Sequence, residues 1–184
     1  MTRVTHMRRI TFVALSAILL SNSTLTQAQR PLSLSLAGGV SAPQGDLSSA
    51  ADVGWHALGA LNVSSMMLPL GLRLEGAFNR FPTSNAVGTS LGTAHQNVVS
   101  VTGNLTYRLP MTNSPFSPYM IAGMGAYHTS CTGCDGATAF GWNAGLGTKM
   151  YLLGFKSFLE ARFHSTERGG SSVRYFPLTF GITF

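Results

Sequence analysis

The sequence predicts an all-β chain, a closed antiparallel up-and-down eight-stranded transmembrane β-barrel behind an N-terminal signal peptide. Three observations predict it. Hydrophobic residues make up 45% of the 184 positions and charged residues only 10%, far below the roughly 25% of soluble domains, so much of the surface faces something other than water. Past Arg30 the apolar residues recur with period two, and no window carries an i, i+3, i+4, i+7 stripe. The alternating segments number eight, an even count that closes an antiparallel barrel with no edge left open.

The first element is the leader. Arg3, Arg8 and Arg9 precede an apolar run from Ile10 to Leu20, followed by small and polar residues with Ala28 as a cleavage position. That run is too short to cross about 30 Å of hydrocarbon as a helix, so residues 1–28 read as a cleaved secretory signal peptide and 29–184 as the barrel. Without those three arginines, nine basic side chains face six acidic ones, so the formal charge of +6 overstates the mature charge and gives no ground for a nucleic-acid partner.

In the first strand Leu32, Leu34, Leu36 and Val40 alternate with Ser33, Ser35, Ala37 and Ser41. In the second, Trp55, Ala57, Leu61 and Val63 oppose His56, Asn62 and Ser64; in the third, Leu70, Leu72, Leu74 and Phe78 oppose Arg73, Glu75 and Asn79. The fourth sets Val99, Val101, Leu105 and Tyr107 against Ser100, Thr102, Asn104, Thr106 and Arg108. The fifth, SPYMIAGMGAYH, is apolar on both faces and its facing stays open. Phe140, Trp142, Ala144 and Leu146 oppose Gly141, Asn143, Gly145, Gly147 and Lys149 in the sixth, and Phe155, Leu159, Ala161 and Phe163 oppose Glu160, Arg162 and His164 in the seventh. The eighth, YFPLTFGITF, directs Phe176, Leu178, Phe180, Ile182 and Phe184 to lipid and Tyr175, Thr179, Gly181 and Thr183 to the lumen. Pro177 lacks an N–H, which predicts a bulge or the loss of a ladder hydrogen bond there.

Strands of roughly ten residues suffice to cross a bilayer at a tilt. Short links near Met66–Pro69, Leu109–Ser117 and Leu152–Gly154 alternate with longer ones near Pro43–Asp52, Pro82–His95, Thr129–Ala137 and Ser165–Val173. Short periplasmic turns and longer outer loops predict both ends of the mature chain on the periplasmic side. A soluble sandwich or lipocalin-like barrel also alternates, but it buries its apolar face and shows charge outside. Here the polar face is mostly Ser, Thr, Asn and Gly, compact enough for a narrow lumen, while Trp, Tyr and Phe cluster near strand ends on the apolar face as an interfacial girdle.

These residues resemble the small eight-stranded outer-membrane barrels of the OmpA and OmpX type, over essentially the whole mature chain. The terminal PLTFGITF is similar to the C-terminal signature by which the barrel-assembly machinery recognises its clients, which implies an assembly signal in Tyr175, Phe180, Ile182 and Phe184. SPYMIAGMG resembles a Pro-Tyr, Gly-x-Gly strand common in such barrels.

The chemistry-bearing residues are few. The third and seventh strands face each other across an eight-stranded lumen that side chains fill, which pairs Arg73 with Glu160 and Glu75 with Arg162, since buried charges need partners. Such pairs read as a plug that rigidifies the lumen, with an ion- or proton-conducting gate as the alternative. Arg108 and Lys149 fall at the periplasmic mouth, where solvation accounts for them. Cys131 and Cys134 lie in the third outer loop; in an oxidising compartment they predict a local disulfide, and a metal site with His128, Asp135 or His164 is the weaker reading of a lone CxxC. A lipid A deacylase would need a Ser activated by a carboxylate-oriented His, and FHSTERGG offers His164, Ser165 and Glu167. Adjacent residues on a strand point oppositely, however, and the only His-x-Ser, His128 and Ser130, lies elsewhere. The sequence therefore predicts no catalytic residue, no cofactor and no resident metal. It predicts a structural or loop-mediated interaction role with outer-membrane lipids, the assembly machinery and a surface ligand at the outer loops as partners; a small channel and a lipid A hydrolase are the alternatives.

Overall fold

The structure, a computed structural model, describes residues 32–49, 51–65, 67–82, 95–111, 114–131, 134–168 and 171–184. The predicted signal peptide lies outside the described residues. Eight strands follow one another: β1 (Leu32–Gln44), β2 (Gly54–Ser64), β3 (Leu70–Pro82), β4 (His95–Arg108), β5 (Ser117–Cys131), β6 (Cys134–Leu152), β7 (Phe155–Arg168) and β8 (Ser171–Thr183). Each pairs antiparallel with the next, and β8 returns to β1 to close the barrel. Closure runs to Phe184, whose N donates to Leu34 O at 2.8 Å while Leu34 N donates to Phe184 O at 3.2 Å, so these backbone groups are satisfied across the seam.

The exterior is greasy, as period two requires. Leu34, Leu36, Val40, Trp55, Leu61, Leu72, Leu74, Val101, Met124, Trp142, Leu146, Leu178 and Phe180 all stand exposed on it. So continuous an apolar band far exceeds the few hundred Å² that a soluble monomer shows, and lipid is the medium it suits. Aromatic side chains mark its ends. Trp55 packs on Phe78 at 5.5 Å and Trp142 on Phe163 at 5.7 Å toward one end, while Tyr107, Phe155 and Phe184 lie toward the end where β1 starts and β8 finishes, called the terminal end below.

Two expectations need correction. The strands run from 11 to 19 residues rather than roughly ten. Two of the four long links are not loops: β5 runs to Cys131 with β6 starting at Cys134, and β7 runs to Arg168 with β8 starting at Ser171. Their Ser-, Thr- and Gly-rich composition suggested loop, yet cross-strand partners such as Thr129↔Ala137 and Glu167↔Ser172 carry the ladder nearly to the tips, because small alternating residues pair as readily as they turn. The cysteines therefore sit at a hairpin tip at the ends of β5 and β6, in register as Cys131↔Cys134, rather than in an open loop. At Pro177 the second of the two expected outcomes is found, a break in the ladder without a bulge. The β7–β8 pairing stops after Ala161↔Leu178 and resumes at His164↔Tyr175 in the same register, so Pro177 opens a gap in the ladder without shifting it.

At the terminal end, β6 and β7 are joined by Leu153 (φ 51°) and Gly154 (φ 85°). Positive φ at both positions is the type I′ form of a two-residue hairpin, which Gly154 meets freely and Leu153 only under strain.

Candidate functional site

Side chains on the inward phase of all eight strands fill the lumen, so the candidate site is its contents. β5 resolves its facing here: Tyr119, Ile121 and Tyr127 are buried inside while Met120 and Met124 point out. Glycines on β6 make room for the large inward residues. A Cβ at Gly145 would come within 2.5 Å of Arg162 Cγ, and one at Gly147 within 2.5 Å of the Tyr119 ring.

The centre of the lumen holds a closed ring of four charges. Arg73 and Glu75, two apart on β3, share a strand face, as do Glu160 and Arg162 on β7, and the barrel sets the two strands opposite each other. Arg73 Nη1 donates to Glu160 Oε2 at 2.8 Å and Arg162 Nη2 to Glu75 Oε1 at 2.6 Å. Arg162 Nε lies 2.8 Å from Glu160 Oε1, an ion-pair contact rather than an aligned hydrogen bond, and Arg73 Nη1 is 3.8 Å from Glu75 Oε2. Each side chain is at most 3% exposed, so neither cation nor carboxylate has bulk water as an alternative partner. Further bonds fix the ring: Tyr119 Oη donates to Glu160 Oε2 at 2.5 Å, Arg73 Nε donates to Asn62 Oδ1 at 2.9 Å, and the Arg73 guanidinium lies over the Phe158 and Tyr119 rings.

Farther from the chain termini, His56 links four strands. Its Nδ1 lies 3.1 Å from Ser41 Oγ and its Nε2 2.9 Å from Thr179 Oγ1, while Ser41 donates to Asn79 Oδ1 at 2.8 Å. Above this layer the character changes to aromatic. Tyr175 stacks on His164 at 4.8 Å with a 16° interplanar angle, Phe81 meets Tyr175 edge-on at 5.7 Å, and Tyr127 Oη lies 3.1 Å from His164 Nδ1. Leu47, from a short 3-10 helix at Gly45–Ser49, folds over the end of the barrel and joins Ala51, Phe81, Val98, Tyr127 and Tyr175 in one buried cluster. An apolar cluster, called the stopper below, thus packs inside the barrel at the end away from the start of β1 and the end of β8.

The other residues singled out by sequence fall as follows. Tyr175 is wholly buried in the stopper, while Phe180 and Phe184 lie exposed on the outside of β8 with Ile182 half-buried between them. Cys131 is disulfide-bonded. His164 turns into the lumen, whereas Ser165 pairs in register with Trp142 on the opposite face, and Glu167 is 3.7 Å from Arg174. His128 Nδ1 lies 2.9 Å from Thr138 Oγ1, with Ser130 two residues on. The stopper was not read from sequence. Its signal was the presence of Phe81, Tyr127 and Tyr175 on the phase otherwise occupied by Ser, Thr and Asn, and only the fold supplies Leu47.

The outer membrane protein beta-barrel domain family matches the chain over residues 11–183. Among solved structures, the Neisserial surface protein A (NspA) is similar at 15% identity, covering 84% of this chain and 96% of its own, with a TM-score of 0.64. A major outer membrane protein of Thermus thermophilus is 11% identical over 84% of this chain and 99% of its own, with a TM-score of 0.52. The Yersinia pestis outer membrane protein Ail, in a phospholipid bilayer nanodisc, is 15% identical over 83% and 99%, with a TM-score of 0.50. No curated protein matches the sequence.

Proposed function

The chain belongs to the outer membrane protein beta-barrel domain family, a family of the bacterial outer membrane, and from that premise we propose that it is a sealed, non-catalytic barrel serving the envelope structurally and engaging ligands at its far-end segments. The observation that supports the reading is the content of the lumen, two buried Arg–Glu pairs beneath a buried aromatic cluster. In this reading the leader directs export, the start of β1 and the end of β8 face the periplasm, and the far end of the barrel, with the short helix at Gly45–Ser49, faces outward, where ligand contacts concentrate because loops carry recognition on a rigid scaffold. Cys134 is the partner of Cys131, and their disulfide pins the β5–β6 tip. The alternating residues of β8, before they pair, are what the assembly machinery reads.

The groups a serine hydrolase would need lie on opposite strand faces, with His164 held by two tyrosines, which favours the non-catalytic reading over a deacylase. Planar-bilayer recording tests the seal. The protein is expected to give no steady conductance, whereas Tyr175→Ala, which empties the stopper, is expected to give brief openings. A steady open-channel current from the unaltered protein would replace this reading with that of a small channel.

A further inference from the structure

We infer that the lumen mouth at the terminal end is a binding site for a phosphate-type oxyanion, held between Arg108 and Lys149. The two side chains line one groove with Ser64, Gly71, Thr106, Ser117 and Tyr119. Both lie on the inward phase of their strands, and both are exposed at the mouth rather than drawn into the ring of charges below. The register explains the juxtaposition: Arg108 opposes Tyr119 across β4–β5, Lys149 opposes Ser117 across β5–β6, and Lys149 Nζ stands 5.6 Å over the Tyr119 ring.

What singles out this mouth is one-sided charge. The charged neighbours of Lys149 are Arg73, Arg108 and Lys156, three cations against the single carboxylate Glu160. Glu160 is already engaged by Arg73, Arg162 and Tyr119 in the ring below. Among the described residues the side-chain carboxylates of Asp46, Asp52 and Glu167 all lie at the far end. Two neighbouring cations in a concave, partly desolvated groove repel each other, and an anion that accepts from both relieves the repulsion. A guanidinium fork, an ammonium and nearby hydroxyls suit the several oxygens of a tetrahedral phosphate.

Two sources share that chemistry, a free phosphate and the headgroup of a phospholipid. Met67, Leu68 and Leu153 stand exposed on the turns beside the mouth and offer an apolar surface for acyl chains. The lipid source rests on the orientation proposed above, which puts this end at the inner leaflet; binding of inorganic phosphate does not.

The test uses the protein extracted from membranes in dodecyl maltoside, with heat-modifiable migration to confirm that each variant is folded. Calorimetric titration with inorganic phosphate is expected to give saturable binding near one equivalent, competed by sulfate and not by chloride at equal ionic strength. Arg108→Gln and Lys149→Gln are each expected to weaken it at least tenfold, and Arg174→Gln at the far end to leave it unchanged. Absence of saturable binding, equal competition by chloride, or undiminished affinity in the Arg108→Gln/Lys149→Gln double variant overturns the site. Short-chain phosphatidylglycerol against glycerol phosphate then assigns the source. Binding at least tenfold tighter for the lipid, lost in Leu68→Ser/Leu153→Ser, identifies the headgroup; equal affinity identifies the free anion.

Discussion

Glu160→Gln is the most informative single change in the lumen, because it keeps the volume and removes one charge from a closed ring. Glu160 accepts from Arg73 at 2.8 Å and from Tyr119 at 2.5 Å, and Arg162 Nε stands 2.8 Å away. With that charge gone, Glu75 alone faces both arginines, at 2.6 Å from Arg162 and 3.8 Å from Arg73, and the buried ring carries a net positive charge. Breaking a buried pair from one side costs about 3–5 kcal/mol, so with an m-value of about 2 kcal/mol per M the urea midpoint falls by about 2 M. Arg73→Met in the same protein removes the stranded cation and leaves Arg162–Glu75 intact, so the double variant recovers about 2–3 kcal/mol relative to the sum of the singles. Equilibrium unfolding in lipid vesicles, followed by the fluorescence of lipid-facing Trp55 and Trp142, measures all four corners of the cycle. A cost under about 1 kcal/mol for Glu160→Gln, or additivity within about 0.5 kcal/mol, refutes the closed ring as the organising feature of the lumen.

Three further outcomes are expected. Tyr175→Ala loses the stack on His164 and the contact with Phe81 and destabilises by about 3–5 kcal/mol, whereas Tyr175→Phe, which gives up the hydroxyl's interactions with Ser100 and, at 3.4 Å, His164, costs at most about 1.5 kcal/mol; thermal unfolding in detergent compares them. Leu153→Asn relieves the left-handed turn and raises stability by about 1 kcal/mol in the same assay, with no change expected if the turn were unstrained. Alkylation followed by mass measurement finds no thiol adduct without reductant and two with it; adducts at both cysteines before reduction remove the Cys131–Cys134 bridge.

The fold was legible in sequence because a barrel in lipid writes its inside and outside into alternate residues. Leu72 and Leu74 against Arg73 and Glu75 on β3, or Leu178 and Phe180 against Thr179 and Gly181 on β8, leave little choice of facing. The opposition of β3 and β7 followed from strand count alone, which is why Arg73 and Glu160 could be matched across 87 residues of chain. Loops were less legible, since Ser, Thr and Gly serve both as turn formers and as compact lumen residues; the β5–β6 and β7–β8 hairpins extend through segments that composition reads as loop. The stopper was hidden for another reason. Its aromatics lie on the polar phase at the strand ends, and Leu47 reaches them only through the path of the β1–β2 link, a tertiary fact that no local period encodes.

The central claim, that this chain is a closed barrel living in the outer membrane, is tested most directly by the migration of unboiled protein from an outer-membrane fraction on a denaturing gel. The account predicts recovery in that fraction and a mobility shift on boiling, as a closed hydrogen-bonded barrel resists the detergent until heated. Recovery as a soluble protein in periplasmic extract, with the same mobility before and after boiling, would contradict it.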